Sequence, residues 1–156
     1  MATTLEIGKK APSFTLATNG DGKVSLKDYV GKKLVLYFYP KDDTPGCTKQ
    51  AIGFTEKRTA FKRAGIEILG VSKDNVAKHD KFISKHDLKI DLGADEDGKV
   101  VEKYGVWVEK NMYGKKYMGI ERATFLIDEK GKIAKIWRKV KVAGHIEDVL
   151  SAAKEI

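Results

Sequence analysis

Leu34-Val35-Leu36-Tyr37-Phe38-Tyr39, closed by Pro40 and followed by Lys41-Asp42-Asp43-Thr44-Pro45-Gly46-Cys47, is the stretch on which the fold turns. An apolar run without polar alternation reads as a strand buried on both faces. Pro40 ends it, because proline has no N–H to give to a neighbouring strand. A helical stretch follows over residues 47–64, where Phe54, Arg58 and Phe61 recur at helical spacing and mark the side packed on the sheet. Gly65 supplies its C-terminal cap. Residues 66–71 then form a second apolar strand. Strand, helix and strand in this order make a βαβ unit with two parallel strands.

Working outward, residues 13–16 and 23–25 read as a strand pair split by the turn residues Asn19-Gly20-Asp21-Gly22. Downstream, a helix over 76–86, a short strand over 90–92 and a helix over 98–104 continue the alternation. The pattern then turns antiparallel. Strands over 106–109 and 117–127 flank Asn111-Met112-Tyr113-Gly114, a turn over 128–131 leads to a strand over 132–138, and a last helix covers 145–154. A mixed central sheet flanked by helices, with a βαβ start and a hairpin end, predicts an α/β fold of thioredoxin-like architecture. With 156 residues and no repeat or linker, residues 1–156 are expected to form one domain.

One cysteine and three histidines make a poor four-ligand zinc set and exclude an internal disulfide. No metal and no cofactor are expected, since no haem or flavin motif is present. A lone thiol without a secretory pattern points to a reducing, cytoplasmic setting. No apolar run approaches the roughly 20 residues of a membrane helix, so no membrane partner is expected. The net charge of +8 permits attraction to polyanions. Its densest stretch, Lys132, Lys135, Arg138, Lys139 and Lys141, is read as the wet face of a strand and its exit, and nucleic acid is not expected as a partner. His79 and His86, seven apart on one helical face, are read as solvated helix residues. His145, beside Gly144, is read as a capping or packing residue.

Cys47 falls just past the C-terminal end of a central strand and at a helix N-terminus, where α/β sheets place their sites. Free N–H groups and partial positive charge there favour the thiolate, the nucleophilic form. Thr44 can turn its hydroxyl back toward the sulfur. The competing reading, an inert core thiol, sits poorly with neighbours such as Thr44, Pro45, Gly46, Thr48 and Lys49. No Cys-x-x-Cys pair exists for dithiol exchange. Arg122, read alone, suits a surface ion pair with Glu121 or Asp128.

The stretch from Tyr39 to Thr48 resembles the peroxiredoxin pattern Pro-x-x-x-Thr-x-x-Cys, and its Thr44-Pro45-Gly46-Cys47-Thr48 form is similar to the peroxiredoxin Q, or bacterioferritin comigratory protein, subfamily. The resemblance spans nearly the whole chain. It takes in Gly8-Lys9-Lys10-Ala11-Pro12-Ser13-Phe14, the segment from Gly119 to Asp128, and Val140-Lys141-Val142-Ala143-Gly144-His145. It implies a thiol-dependent peroxidase of peroxiredoxin fold that reduces hydrogen peroxide and organic hydroperoxides through a sulfenic acid at Cys47. Pro40 and Thr44 then shape the pocket, and Arg122 is the catalytic arginine. A permanent cation suits a step that builds charge on a leaving oxygen. Many members of the subfamily carry a resolving cysteine five residues on, where this chain has Ile52, or on the next helix, where residues 76–86 hold none. The resemblance therefore implies a one-cysteine mechanism with an external thiol, whether thioredoxin, glutaredoxin or a small thiol, in a monomer or weak dimer. Gln50 replaces a residue that is often acidic, which predicts a changed hydrogen bond. Two rival functions use the same fold: a peroxide sensor, and a basic binding or holdase module.

Overall fold

In the computed structural model, which describes residues 5–156, the first strands are β1 (Thr15–Thr18) and β2 (Gly22–Ser25). The central unit is β3 (Lys33–Phe38), α1 (Pro45–Arg63) and β4 (Ile66–Ser72). Next come α2 (Val76–His86), β5 (Asp91–Ala94) and α3 (Lys99–Lys103). The second half holds β6 (Trp107–Met112), β7 (Lys115–Ile120), β8 (Ala123–Ile127), β9 (Ile133–Trp137) and α4 (His145–Lys154). Seven strands form one mixed sheet in the order β2-β1-β5-β4-β3-β8-β9. β4 pairs in parallel with both β3 and β5, as the βαβ reading requires, while β8 lies antiparallel to β3.

β3 is central and sends alternate residues to opposite layers. Leu34, Leu36 and Phe38 join Val71, Tyr104, Phe125 and Ile127 on one face. Val35, Tyr37 and Tyr39 join Phe54, Phe61, Phe82 and Ile146 on the other, under α1, α2 and α4. Phe54 stacks on Tyr37 with ring centroids 4.7 Å apart. Tyr37 needs its cross-strand neighbour to be glycine, since a Cβ on Gly70 would stand 2.7 Å from the ring. Arg58 departs from its expected place: Phe54 and Phe61 are buried, but Arg58 is exposed, because the buried stripe of α1 is narrower than the spacing suggested.

The expected strand over 117–127 is two strands in two sheets. β7 pairs only with β6 in a separate hairpin, and β8 enters the central sheet. The five residues of β8 are buried throughout, whereas Lys115, Lys116, Tyr117 and Met118 are exposed. A straight strand would drag those lysines into the core, so the chain breaks at Glu121 and Arg122. There Glu121 N donates to Val106 O at 2.7 Å, and Val140 N donates to Arg122 O at 3.0 Å. The basic stretch around β9 is exposed at Lys132, Lys135, Arg138, Lys139 and Lys141, as its pattern indicated.

Candidate active site

α1 starts at Pro45, two residues before the expected position. Proline fits the first helical position, where the N–H it lacks would have no intrahelical acceptor. Thr44 is the N-cap, in extended conformation, but its hydroxyl donates to Lys41 O at 2.9 Å, so its hydrogen is not turned to the sulfur as expected. Pro40, half-buried, separates β3 from this loop, and Asp43 takes a left-handed conformation with φ 61°. Cys47 is thus the third helical residue. Its N–H and that of Gly46 lie in the first turn, at the positive end of the helix.

Cys47 is 2% exposed and packs in the layer that holds Tyr37 and Phe54. Arg122 reaches it from the break between β7 and β8. Its Nη2 donates to Cys47 Sγ at 3.3 Å and its Nη1 donates to Gln50 Oε1 at 2.6 Å. Cys47 and Gln50 share a helix face one turn apart, so one guanidinium fork spans both. Gly46 makes room for it: a Cβ there would stand 3.1 Å from Arg122 Nη2. The surface ion pair is not formed, since Glu121 faces Arg138 at 3.5 Å and Asp128 caps its own turn through Lys130 N and Lys132 N. The result is a buried sulfur with a fixed cation on one side and helix N–H groups on another, an arrangement suited to a thiolate nucleophile.

Residues 7–136 match the AhpC/TSA family. The chain belongs to that family. Among its AhpC/TSA relatives, peroxiredoxin Bcp of Bacillus subtilis is 48% identical over 153 residues, covering 98% of each chain. Peroxiredoxin Bcp of Escherichia coli is 42% identical over 151 residues, covering 97% of each. Among solved structures, the fold is similar to the Xylella fastidiosa PrxQ cysteine mutant, with TM-score 0.93, 37% identity, and 99% and 98% of the two chains covered. It is also similar to Xanthomonas campestris bacterioferritin comigratory protein, described with alkyl peroxide reduction activity, with TM-score 0.90, 42% identity and 96% and 98% covered. The thioredoxin-like peroxiredoxin fold and the subfamily resemblance stand on these likenesses.

Tyr37 and Lys110 of this AhpC/TSA site escaped the sequence. Gln50 Nε2 and Tyr37 Oη are buried donors without an acceptor among the described residues. Burial, then the charges of Cys47 and Asp42, push the Tyr37 phenol far above its usual range, so it stays protonated. Lys110 on β6 is half-buried; burial lowers its pKa, repulsion from Arg122 adds to that, and Cys47 and Glu121 oppose it. Only the hairpin's geometry brings this lysine near the sulfur's field, and strand alternation alone gave no such signal.

The histidines need correction. His79 is fully buried, with Nδ1 at 2.6 Å from Asp42 Oδ2 and Nε2 at 2.9 Å from Gly93 O. His86 is partly covered and sits 2.8 Å from Asp43 Oδ1, which Lys85 also holds at 2.7 Å. Neither is a solvated helix residue, because the face of α2 that carries them lies against the loop before Cys47. A signal existed in the acidic pair Asp42-Asp43 opposite the i, i+7 histidines. His145 packs, as one of its two readings held: it is buried edge-on to Trp137 and 2.8 Å from Thr124 Oγ1, and makes no side-chain cap. Burial lowers its pKa to about 4, with Arg122 adding to the effect and Asp148 opposing it. Among the described residues no group of three or more His, Cys, Asp or Glu side chains is placed to hold a metal, and no helix is long and apolar enough to cross a membrane.

Proposed function

We propose that Cys47 is the peroxidatic residue of a one-cysteine thiol peroxidase, with Arg122 as its catalytic cation and Pro40 and Thr44 shaping the peroxide pocket. The observation that supports this reading best is Arg122 Nη2 at 3.3 Å from Cys47 Sγ, at the start of α1. Thiolate attack on the terminal peroxide oxygen forms an S–O bond and breaks the O–O bond. The departing alkoxide or hydroxide takes a proton and leaves as alcohol or water, and Cys47 becomes a sulfenic acid. Guanidinium and helix N–H donors offset the charge that builds on the leaving oxygen. One external thiol then displaces water from the sulfenic acid, and a second releases the disulfide and restores Cys47.

Hydrogen peroxide and organic hydroperoxides are the proposed substrates. The proposed reductant is thioredoxin, glutaredoxin or a small thiol, because Cys47 is the chain's one cysteine. We further propose that residues 1–156 form one cytoplasmic domain, a monomer or weak dimer, with the single seven-stranded sheet supporting the domain reading. Cys47→Ser should abolish peroxide consumption with an external dithiol while leaving the circular dichroism unchanged, since a hydroxyl lacks the polarizable anion. Turnover near that of the parent protein would refute the assignment.

A further inference from the structure

The loop that carries Pro40 and Thr44 is fastened at Asp42. Its Oδ2 lies 2.6 Å from His79 Nδ1, with both side chains buried, and its Oδ1 accepts the Tyr39 hydroxyl at 2.5 Å. Asp42 N donates to Asp74 Oδ2 at 2.8 Å, an oxygen that also accepts from Ser72 Oγ at 2.7 Å. On its other edge the His79 ring faces Gly93 O at 2.9 Å. A carbonyl can only accept, and a carboxylate that already takes a hydroxyl proton on its other oxygen is an acceptor too. With Asp42 as a carboxylate, both contacts of the ring are met when both ring nitrogens carry hydrogen. Burial and the neighbouring Asp42 carboxylate push the Tyr39 phenol up, so it remains the donor in this network.

The groups around the ring balance the charge: Asp42 from the loop, Asp74 after β4 with Lys78 at 4.0 Å, and the neutral Tyr39, Ser72 and Gly93 O. A buried ion pair contributes little net stability compared with apolar packing, yet removing one partner strands the other. What such a pair does supply is one fixed geometry. We propose that His79, as an imidazolium, is a positioning residue of the peroxidase: it fixes Asp42, and through Asp42 the backbone that presents Pro40 and Thr44 beside Cys47. This rests on the reading of Cys47 as the reacting thiol.

Nitrogen-15 NMR of the full chain at neutral pH reads the charge state directly, and His79 should show two exchange-protected ring N–H signals. A bare ring nitrogen would overturn the proposal. The rate constants of Cys47 with hydrogen peroxide and with iodoacetamide then separate positioning from general damage. His79→Asn should slow the peroxide reaction tenfold or more and leave alkylation within twofold, because Arg122 and the helix start are untouched. Asp42→Ala cuts the same link from the loop side and serves where the buried substitution does not fold; it should give the same split. The double variant should be no slower than the slower single one. Equal losses in both reactions, additive losses, or an unchanged peroxide rate in Asp42→Ala would overturn the proposal. If peroxide fails to oxidise Cys47 in the parent protein, the fault lies with the peroxidatic reading instead, and the NMR result still stands.

Discussion

The two halves of the site reach Cys47 by different routes. The thiol half is local: a strand end, a proline, a short loop and the first turn of α1 follow one another along the chain. The cation half comes from 75 residues away, at a break where one strand path leaves for a hairpin and another enters the central sheet. A local half forms wherever its own residues take their preferred conformations. The distant half exists only when β8 is docked on β3, so the reactive pair assembles with the tertiary fold and not before.

Arg122→Met tests the distant half with the largest effect. Loss of one preorganised donor should slow peroxide reduction by on the order of a hundredfold. The helix start survives, so part of the alkylation reactivity should remain, and full retention of the peroxide rate would return Arg122 to an incidental role. Ile52→Cys tests whether the local half opens. Five residues of regular helix separate two Cα atoms by about 8.7 Å, more than the roughly 7 Å a disulfide allows. Ile52 is half-buried against the second core layer. If the first turns can unwind after oxidation, the variant monomer should lose two hydrogens on peroxide treatment and resist overoxidation several-fold better; sulfinic acid at the parent rate would show a helix that stays closed.

Gly46→Ala touches the seam. Its methyl would press on Arg122 Nη2 at 3.1 Å, which the long side chain can yield to, so a loss of a few-fold in peroxide rate is expected with little change in stability. A loss matching that of Arg122→Met would mean that the guanidinium has no room to adjust. The smallest effect lies beside the distant half, at His145. Its folded-state pKa near 4 lies below the ordinary value of about 6.5. Between those pH values the unfolded chain takes up a proton that the fold refuses, so stability falls as pH drops through that window. His145→Phe should flatten that slope by at most one proton's worth in denaturant titrations at several pH values; an unchanged slope would place the acid sensitivity elsewhere.

The division between local and distant also governs what could be read in advance. α2 and α4 occupy their expected residues, because cap and spacing signals lie inside each segment. Pro45 shifted the start of α1 by two residues without altering its role. Residues 117–127 looked like one strand because extended propensity continues across Glu121 and Arg122; only the sheet decides which lysines must stay wet. Arg122's place beside Cys47 was legible through family resemblance alone, as no local feature distinguishes it from a surface arginine. His79 was misread because lysines surround it along α2, while the partners that bury it come from the loop before α1 and from β5.

The basic stretch around β9 has a further consequence. β9 is the last strand of the central sheet. Among the described residues, 8–10 cover its beginning, through Gly8 N, Lys9 O and the bridge from Lys10 to Lys132. Beyond that point no described strand pairs with the outer side of residues 134–137, and open strand borders are the route by which sheets aggregate. Lys135 is exposed on this strand with its ammonium over the Trp137 ring, and Lys139 is exposed just past the strand end. A second copy bringing its own β9 to this border would set lysine against lysine. Charge on an open strand border opposes pairing between copies, so neutralising Lys135 and Lys139 together is expected to show as self-association in concentrated solution, measured by light scattering, before any change in peroxide chemistry.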